Sequence, residues 1–286
     1  MKPAPFEYRR ADTREEALSL LAEHGEDAEI LAGGQSLMPL LAMRLARPAM
    51  VIDINRIGGL AGVTEIEDGI SVGALTRHRE VARDALVARD APVLAKAVPH
   101  IAHHGIRNRG TIGGALSLGD PAAEFPACAV AAGARLVLAS AAGTRRIAAA
   151  DYYLAPFETA RGPEDLLVAA EFPADGRGAA VVEAAPRAGD YAIVGLVALA
   201  RPSGARLRDV ELVYFAAGER PNPAPAAAAI LAAADDARAA LAEAAEAARR
   251  EVETIATPSA SAAVRRHLVG ALLGRAVAAL FEGARP

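Results

Sequence analysis

The sequence holds a single cysteine, Cys128, among 286 residues. No disulfide can form within the chain. Nor can a cysteine-ligated iron–sulfur cluster be built from it alone, because such clusters take about four protein ligands. Any such centre must lie on another polypeptide. Cys128 sits in the apolar run PACAVAAGA (126–134) and reads as a buried structural thiol, not an activated thiolate. A basic surplus is also lacking: 31 basic residues stand against 35 acidic ones, for a net charge of −4. That balance argues against a nucleic-acid binder. The local basic groups at Arg107 and Arg109 and at Arg145 and Arg146 read as solvated surface. No apolar run is long enough to span a membrane; the run 37–43 is short and is followed by Arg44 and Arg47. The opening MKPAPFEYRR has none of the apolar stretch of a secretory signal, so a cytoplasmic location is expected. No solenoid repeat is present, and no catalytic dyad or metal cluster stands out. His103 and His104 are adjacent, so they would not face one site on a helix, and His78 near Glu80 reads as ordinary.

What is present is a mixture of short strands and helices. Thr13 and Glu16 have the spacing of a capping box and predict a helix over 13–24, with Gly25 as its stop. A strand over 29–32 runs into Gly33-Gly34, and a helix over 35–45 is expected directly after. Strands are predicted over 51–54 and 69–73, helices over 80–88 and 93–100, and a hairpin over 135–139 and 144–147. A boundary falls near 174–180, where proline and glycine cluster. Beyond it come strands over 179–185, 193–200 and 208–215. The alanine-rich stretch 226–250 reads as helical, with Glu246 and Arg250 at i, i+4 spacing, and a final helix is expected over 259–281 with Ser259 as its cap. The pattern indicates α+β architecture.

Two glycine turns carry the chemistry. In Ala32-Gly33-Gly34-Gln35-Ser36, the glycines let backbone amides approach a ligand, and a following helix would aim its positive end at an anion such as a diphosphate. Thr111-Ile112-Gly113-Gly114-Ala115, with Ser117, Gly119 and Asp120 behind it, repeats that composition. Asp120 is either an acceptor for a ribose or flavin edge or a turn aspartate before Pro121. Two such turns could clamp one diphosphate from both sides without many basic side chains. Neither turn is a G-x-G-x-x-G fingerprint, and neither continues into the Gly-Lys-Ser/Thr of a Walker loop.

AGGQSLMPLLAMRLARP (32–48), IDIN (52–55), VGALT (72–76), IRNRGTIGGALSLGDPAAEFPA (106–127) and GDYAIVGLVAL (189–199) occur in order along nearly the whole chain. Together they resemble the FAD-binding medium subunit of the carbon monoxide dehydrogenase and xanthine dehydrogenase family of molybdenum hydroxylases. The same flavin fold is shared by vanillyl-alcohol oxidase-like enzymes. The resemblance implies a FAD-binding domain of two α+β subdomains over 1–175, divided at about 57/58. It implies a smaller C-terminal domain with an antiparallel sheet and helices over 176–286. It assigns FAD contacts to Ala32, Gly33, Gly34, Gln35, Ser36 and Leu37 on one side, and to Thr111, Gly113, Gly114, Ser117 and Asp120 on the other.

The sequence departs from the family pattern at Ala115, where asparagine or aspartate often follows TIGG. No histidine precedes the first glycine pair as a covalent flavin link would need, so the implied FAD is non-covalent. The implied partners are a molybdopterin-binding large subunit and a small subunit with 2Fe–2S clusters, whose electrons pass through FAD to an external acceptor. The pair Tyr152-Tyr153 either covers the flavin or packs at a domain seam. A stand-alone FAD-dependent oxidase or reductase of the same fold is the alternative reading; a module that binds no flavin is a third, opposed by the intact glycines.

Overall fold

The computed structural model describes residues 2–283; the first residue and the last three of the expected C-terminal domain, 284–286, lie outside that range. The N-terminal unit is a parallel sheet built from β1 (Glu7–Arg10), β2 (Ala28–Leu31) and β3 (Met50–Asp53), with β3 in the middle. Helix α1 (Arg14–His24) joins β1 to β2, and α2 (Leu37–Met43) joins β2 to β3. Thr13 caps α1, accepting from the Glu16 amide at 3.1 Å, while the Glu16 carboxylate accepts from the Asp12 amide at 2.9 Å instead of the Thr13 amide. Helix α2 starts two residues later than the sequence suggests: Gly33 to Ser36 form a turn.

The second unit is an antiparallel sheet of five strands: β4 (Val63–Ile66), β5 (Gly69–Gly73), β6 (Arg135–Ser140), β7 (Gly143–Ala148) and β10 (Leu166–Pro173). Before the last of these, β8 (Tyr153–Ala155) and β9 (Glu158–Thr159) form a small hairpin. Strand β10 lies at the centre, between β5 and β6. Its near-continuous apolar run hides the alternation that marks a strand with one wet face, and the sequence reading passed over it. The helices of this unit are α3 (His78–Val81), α4 (Ala85–Asp90), α5 (Pro92–Ala97), α6 (His104–Arg107), α7 (Ile112–Leu118), α8 (Glu124–Ala131) and α9 (Ala149–Tyr152); α4, α7 and α9 pack on the sheet, and α5 and α8 pack against the third unit. The single helix expected over 80–88 is two, because the Asp84 carboxylate accepts from the Leu86 and Val87 amides and starts a new helix. Cys128, Tyr152 and Tyr153 all lie in the buried core. The basic pair on β7 does more than face water: Arg145 bonds Asp165 at 2.6 Å and Arg146 bonds Glu171 at 2.9 Å.

The third unit begins at β11 (Gly178–Ala184) and continues through β12 (Val194–Ser203), β13 (Arg206–Phe215) and β14 (Asn222–Pro223), an antiparallel sheet in that order. One face is covered by α10 (Pro225–Ala233), α11 (Leu241–Glu251) and α12 (Ala262–Gly283), and the other is buried against α5 and α8. The alanine-rich stretch is therefore two helices, broken where Asp236 accepts from the Arg238 amide at 2.9 Å. Glu246 pairs with Arg249, one residue earlier than expected. Ser261, not Ser259, receives the first amide bonds of α12. Among the described residues no helix is long and apolar enough to cross a membrane.

Candidate functional site: a cavity between two stacked glycine turns

The turn after β2 and the turn before α7 lie against each other. A Cβ on Gly33 would sit 2.9 Å from the Gly110 Cα and closer still to the Arg109 carbonyl oxygen. Glycine at 33 is thus needed for one backbone to reach the other. Gly34 has φ of 71°, the left-handed conformation that turns the chain into α2. Gly113 is packed equally tightly: its Cβ would lie 2.5 Å from that of Ala74.

Side chains brace this junction. Asn55, just past β3, donates to the Ala32 carbonyl at 2.8 Å. Its own amide oxygen accepts from Arg77 at 2.7 Å, and the same guanidinium donates to the Arg109 carbonyl. Arg77 therefore spans both turns. Glu80 holds it in place by accepting the Arg77 backbone amide at 3.0 Å. Asn55 ends the IDIN motif and Arg77 follows VGALT, so the clue to their role was adjacency to those segments.

The turns differ in what they offer a ligand. Among the described residues, the backbone amides of Gly33, Gly34, Gln35 and Ser36 donate to no protein acceptor. In the second turn Ile112 and Gly113 donate to the carbonyls of Thr76 and Ala74, and Gly114 donates to the Thr111 hydroxyl. The free amides are therefore concentrated on the first turn. The second supplies shape, the Thr111 cap and the residues that follow it.

Both turns open on one cavity of about 840 Å³, within the roughly 300–1,000 Å³ usual for ligand pockets. All eleven residues singled out in the sequence, from Ala32 to Leu37 and from Thr111 to Asp120, line it. Ala115 lines it as well, and a methyl group stands where a polar side chain could have reached in. Tyr152 and Tyr153 do not line it; of the two roles open to them, core packing is the one the structure shows.

Three cavity residues were not legible as such. His78 is 5% exposed, lies edge-on to Phe125 at 5.0 Å, and has no partner on either ring nitrogen. Burial pushes its pKa down to about 4, so the ring is neutral. Glu124 opens α8, and its burial, reinforced by Glu183, raises its carboxyl pKa to about 7. Tyr191, in the GDYAIVG segment, is 73% exposed and faces the Asp120 carboxyl, whose pKa burial also raises.

The residues fit a flavin dinucleotide. Four unpaired amides in a row suit a diphosphate, and the same cavity is lined beyond the turns by Asp120 and Tyr191. Residues 4–175 match the model of the FAD binding domain in molybdopterin dehydrogenase. The chain belongs to that family. Residues 179–280 match the CO dehydrogenase flavoprotein C-terminal domain. The chain is 32% identical over 277 residues to the nicotine 6-hydroxylase medium subunit of Paenarthrobacter nicotinovorans, covering 97% of this chain and 98% of the other. It superposes with a TM-score of 0.95 and 32% identity on carbon monoxide dehydrogenase from Hydrogenophaga pseudoflava, over all of both chains. Quinoline 2-oxidoreductase from Pseudomonas putida 86 gives the same score at 33% identity, again over all of both chains. The protein is thus the FAD subunit of an oxidoreductase of carbon monoxide dehydrogenase and xanthine dehydrogenase type, as its motifs suggested.

Proposed function

We propose that this FAD subunit works in the cytoplasm, taking electrons from the 2Fe–2S clusters of a small partner subunit and passing them to an external acceptor. A molybdopterin-binding large subunit oxidises the substrate in the same complex. The observation that carries the reading is the union of both glycine turns and the GDYAIVG segment around one cavity. Two further facts support it. The single cysteine leaves iron–sulfur ligation to another chain, and among the described residues no group of histidines, cysteines and carboxylates could hold a metal ion.

In this reading the amides of Gly33 to Ser36, with Ala32 and Leu37 flanking them, hold the FAD diphosphate. Thr111, Gly113 and Gly114 shape the opposite wall, and Ser117 and Asp120 bind beyond it. The FAD is non-covalent. When bound it supplies the change from one-electron to two-electron transfer; the chain supplies binding, orientation and exclusion of water. The division into a FAD domain over 1–175 and a C-terminal domain over 176–286 belongs to the same proposal. The substrate is left to the large subunit.

The test is to purify the chain alone and with its complex. A flavin spectrum released intact by denaturation, with molybdenum and iron in the complex, supports the reading. Absence of flavin uptake by the folded chain refutes it. Substrate-dependent bleaching by the isolated chain would instead mark a stand-alone oxidase.

A further inference from the structure

We propose that the outer edge of β2, through the backbone N–H and C=O of Ile30, pairs with the polar edge of one planar ring of the bound FAD. The inference rests on the FAD reading of the cavity and extends that site upstream of the first glycine turn.

Strand β2 ends its sheet: β3 pairs with one edge and, among the described residues, no strand pairs with the other. Successive residues of a strand turn their backbone groups to opposite edges. The carbonyls of Asp27 and Leu31 accept from the Ala49 and Ile54 amides, at 2.9 and 3.2 Å. Residues 27, 29 and 31 therefore face β3, and residues 28 and 30 face outward. The Ala28 amide turns back to the Gly25 carbonyl. Among the described residues Ile30 has no backbone partner outside the ladder, so its outward N–H and C=O are both free.

Ile30 lines the cavity, while its side chain packs on the apolar core of the first unit. The residue thus meets the cavity along its backbone edge. The Ala32 amide also donates to no protein acceptor, and the row of free groups runs on into the amides of Gly33 to Ser36. An unpaired edge facing water is a template for another strand. This one opens on a cavity whose walls include Leu40, Leu166 and Leu167, and a flat apolar ring with a polar edge suits such walls.

Ile30 lies about 10 Å before Gly33, at about 3.3 Å per residue. That is too far for a diphosphate seated on the turn, and within reach of a ring joined to it through a sugar or a ribityl chain. Both rings of FAD carry a matching edge. The flavin imide sets N3–H beside a carbonyl oxygen, and adenine sets its amino group beside a ring nitrogen. Each places one donor beside one acceptor, the complement of the Ile30 C=O and N–H.

The experiment titrates the full-length apoprotein with FAD and two analogues, followed by flavin fluorescence. One analogue is methylated at flavin N3; the other carries hypoxanthine in place of adenine. I30P removes the outward N–H, and proline is tolerated on an edge strand where that group faces away from the neighbouring strand. E29P removes an amide from the β2–β3 ladder and should melt well below I30P. I30P should bind FAD roughly 10-fold more weakly, about the worth of one hydrogen bond, while I30V binds as wild type does. An ester at position 30, introduced as the α-hydroxy analogue of isoleucine, removes the same N–H without the pyrrolidine and decides the matter if I30P fails to fold. Wild type should bind one analogue roughly 10-fold more weakly than FAD, and the Ile30 variants should lose that difference. The N3-methyl analogue is the weak one if the flavin imide meets the strand, the hypoxanthine analogue if adenine does. A folded I30P or ester protein with wild-type FAD affinity overturns the proposal. So does a wild type that treats all three dinucleotides alike, or discrimination that the Ile30 variants keep. A wild-type chain that takes up no FAD refutes the cofactor site itself, a separate outcome.

Discussion

Replacing Gly33 by alanine should weaken FAD binding far more than its single methyl group suggests. The added Cβ would lie 2.9 Å from the Gly110 Cα and 3.0 Å from the Arg109 carbonyl carbon. Ordinary carbon contacts lie at about 3.5–4.0 Å, so the two turns must separate by roughly 0.5–1 Å. The obstructing atoms are backbone, pinned by Arg77 and by the amide bonds of Ile112 and Gly113, and cannot rotate away. Overpacking of this kind costs about 1–3 kcal/mol. If that strain falls on the FAD-competent arrangement, binding weakens by roughly 5- to 150-fold at about 1.4 kcal/mol per decade.

The assay is titration of the apoprotein with FAD, with thermal unfolding of both forms alongside. Gly58 is the control, since a Cβ there meets nothing within 4 Å and its φ is not positive. G34A serves as an intermediate case. Its left-handed φ costs about 1–2 kcal/mol, but its nearest neighbours, Leu31 Cδ1 and Met38 Cγ at 3.2 Å, are side-chain atoms that can give. A G33A protein with the FAD affinity and melting temperature of G58A would refute the stacked-turn argument.

Removing the brace, R77A leaves the Arg109 carbonyl and Asn55 without their shared donor. Hydrogen bonds to a charged group are worth about 1.5–3 kcal/mol, and partial exposure lowers that, so FAD affinity should fall by roughly tenfold with helix content unchanged by circular dichroism. The neutral His78 ring gives a pH signature. Its folded pKa is depressed to about 4 against an ordinary 6.5, so the unfolded state binds the extra proton and stability is lost as pH falls from 6.5 towards 4. Melting curves of wild type and H78Q should converge towards pH 4; parallel curves would count against a buried, neutral imidazole. Arg265, 4% exposed, donates to the Ile193 carbonyl at 2.5 Å, to the Thr257 hydroxyl at 2.6 Å and to the Ala216 carbonyl. R265A strands those acceptors, and at about 1–3 kcal/mol per buried group it should lower Tm by several degrees. An unchanged Tm would show that water replaces the guanidinium.

Much of the site could be read before any coordinates. Gly33-Gly34 and Gly113-Gly114 mark themselves by composition, whereas Asp120, read from the chain alone, was either a ligand acceptor or a turn aspartate before Pro121. His78 and Glu124 could not be read that way: nothing local distinguishes them, and their importance comes from burial by elements distant in the chain. Arg77 was passed over because its partners, Asn55 and the Arg109 carbonyl, lie 22 and 32 residues away.

Taken alone, the sequence determined the local chemistry: where paired glycines stand, that Thr13 caps the first helix, that no cluster of thiolates is available, and which family the motifs resemble. Those properties depend on neighbouring residues and on counts. Tertiary structure decided that Gly33 serves backbone approach between turns, that the free amides are concentrated on the first turn, and that β10 is the central strand. It also set which carboxyls are desolvated. Those outcomes depend on long-range pairing and exclusion of water, which arise only when segments far apart in the chain come into contact.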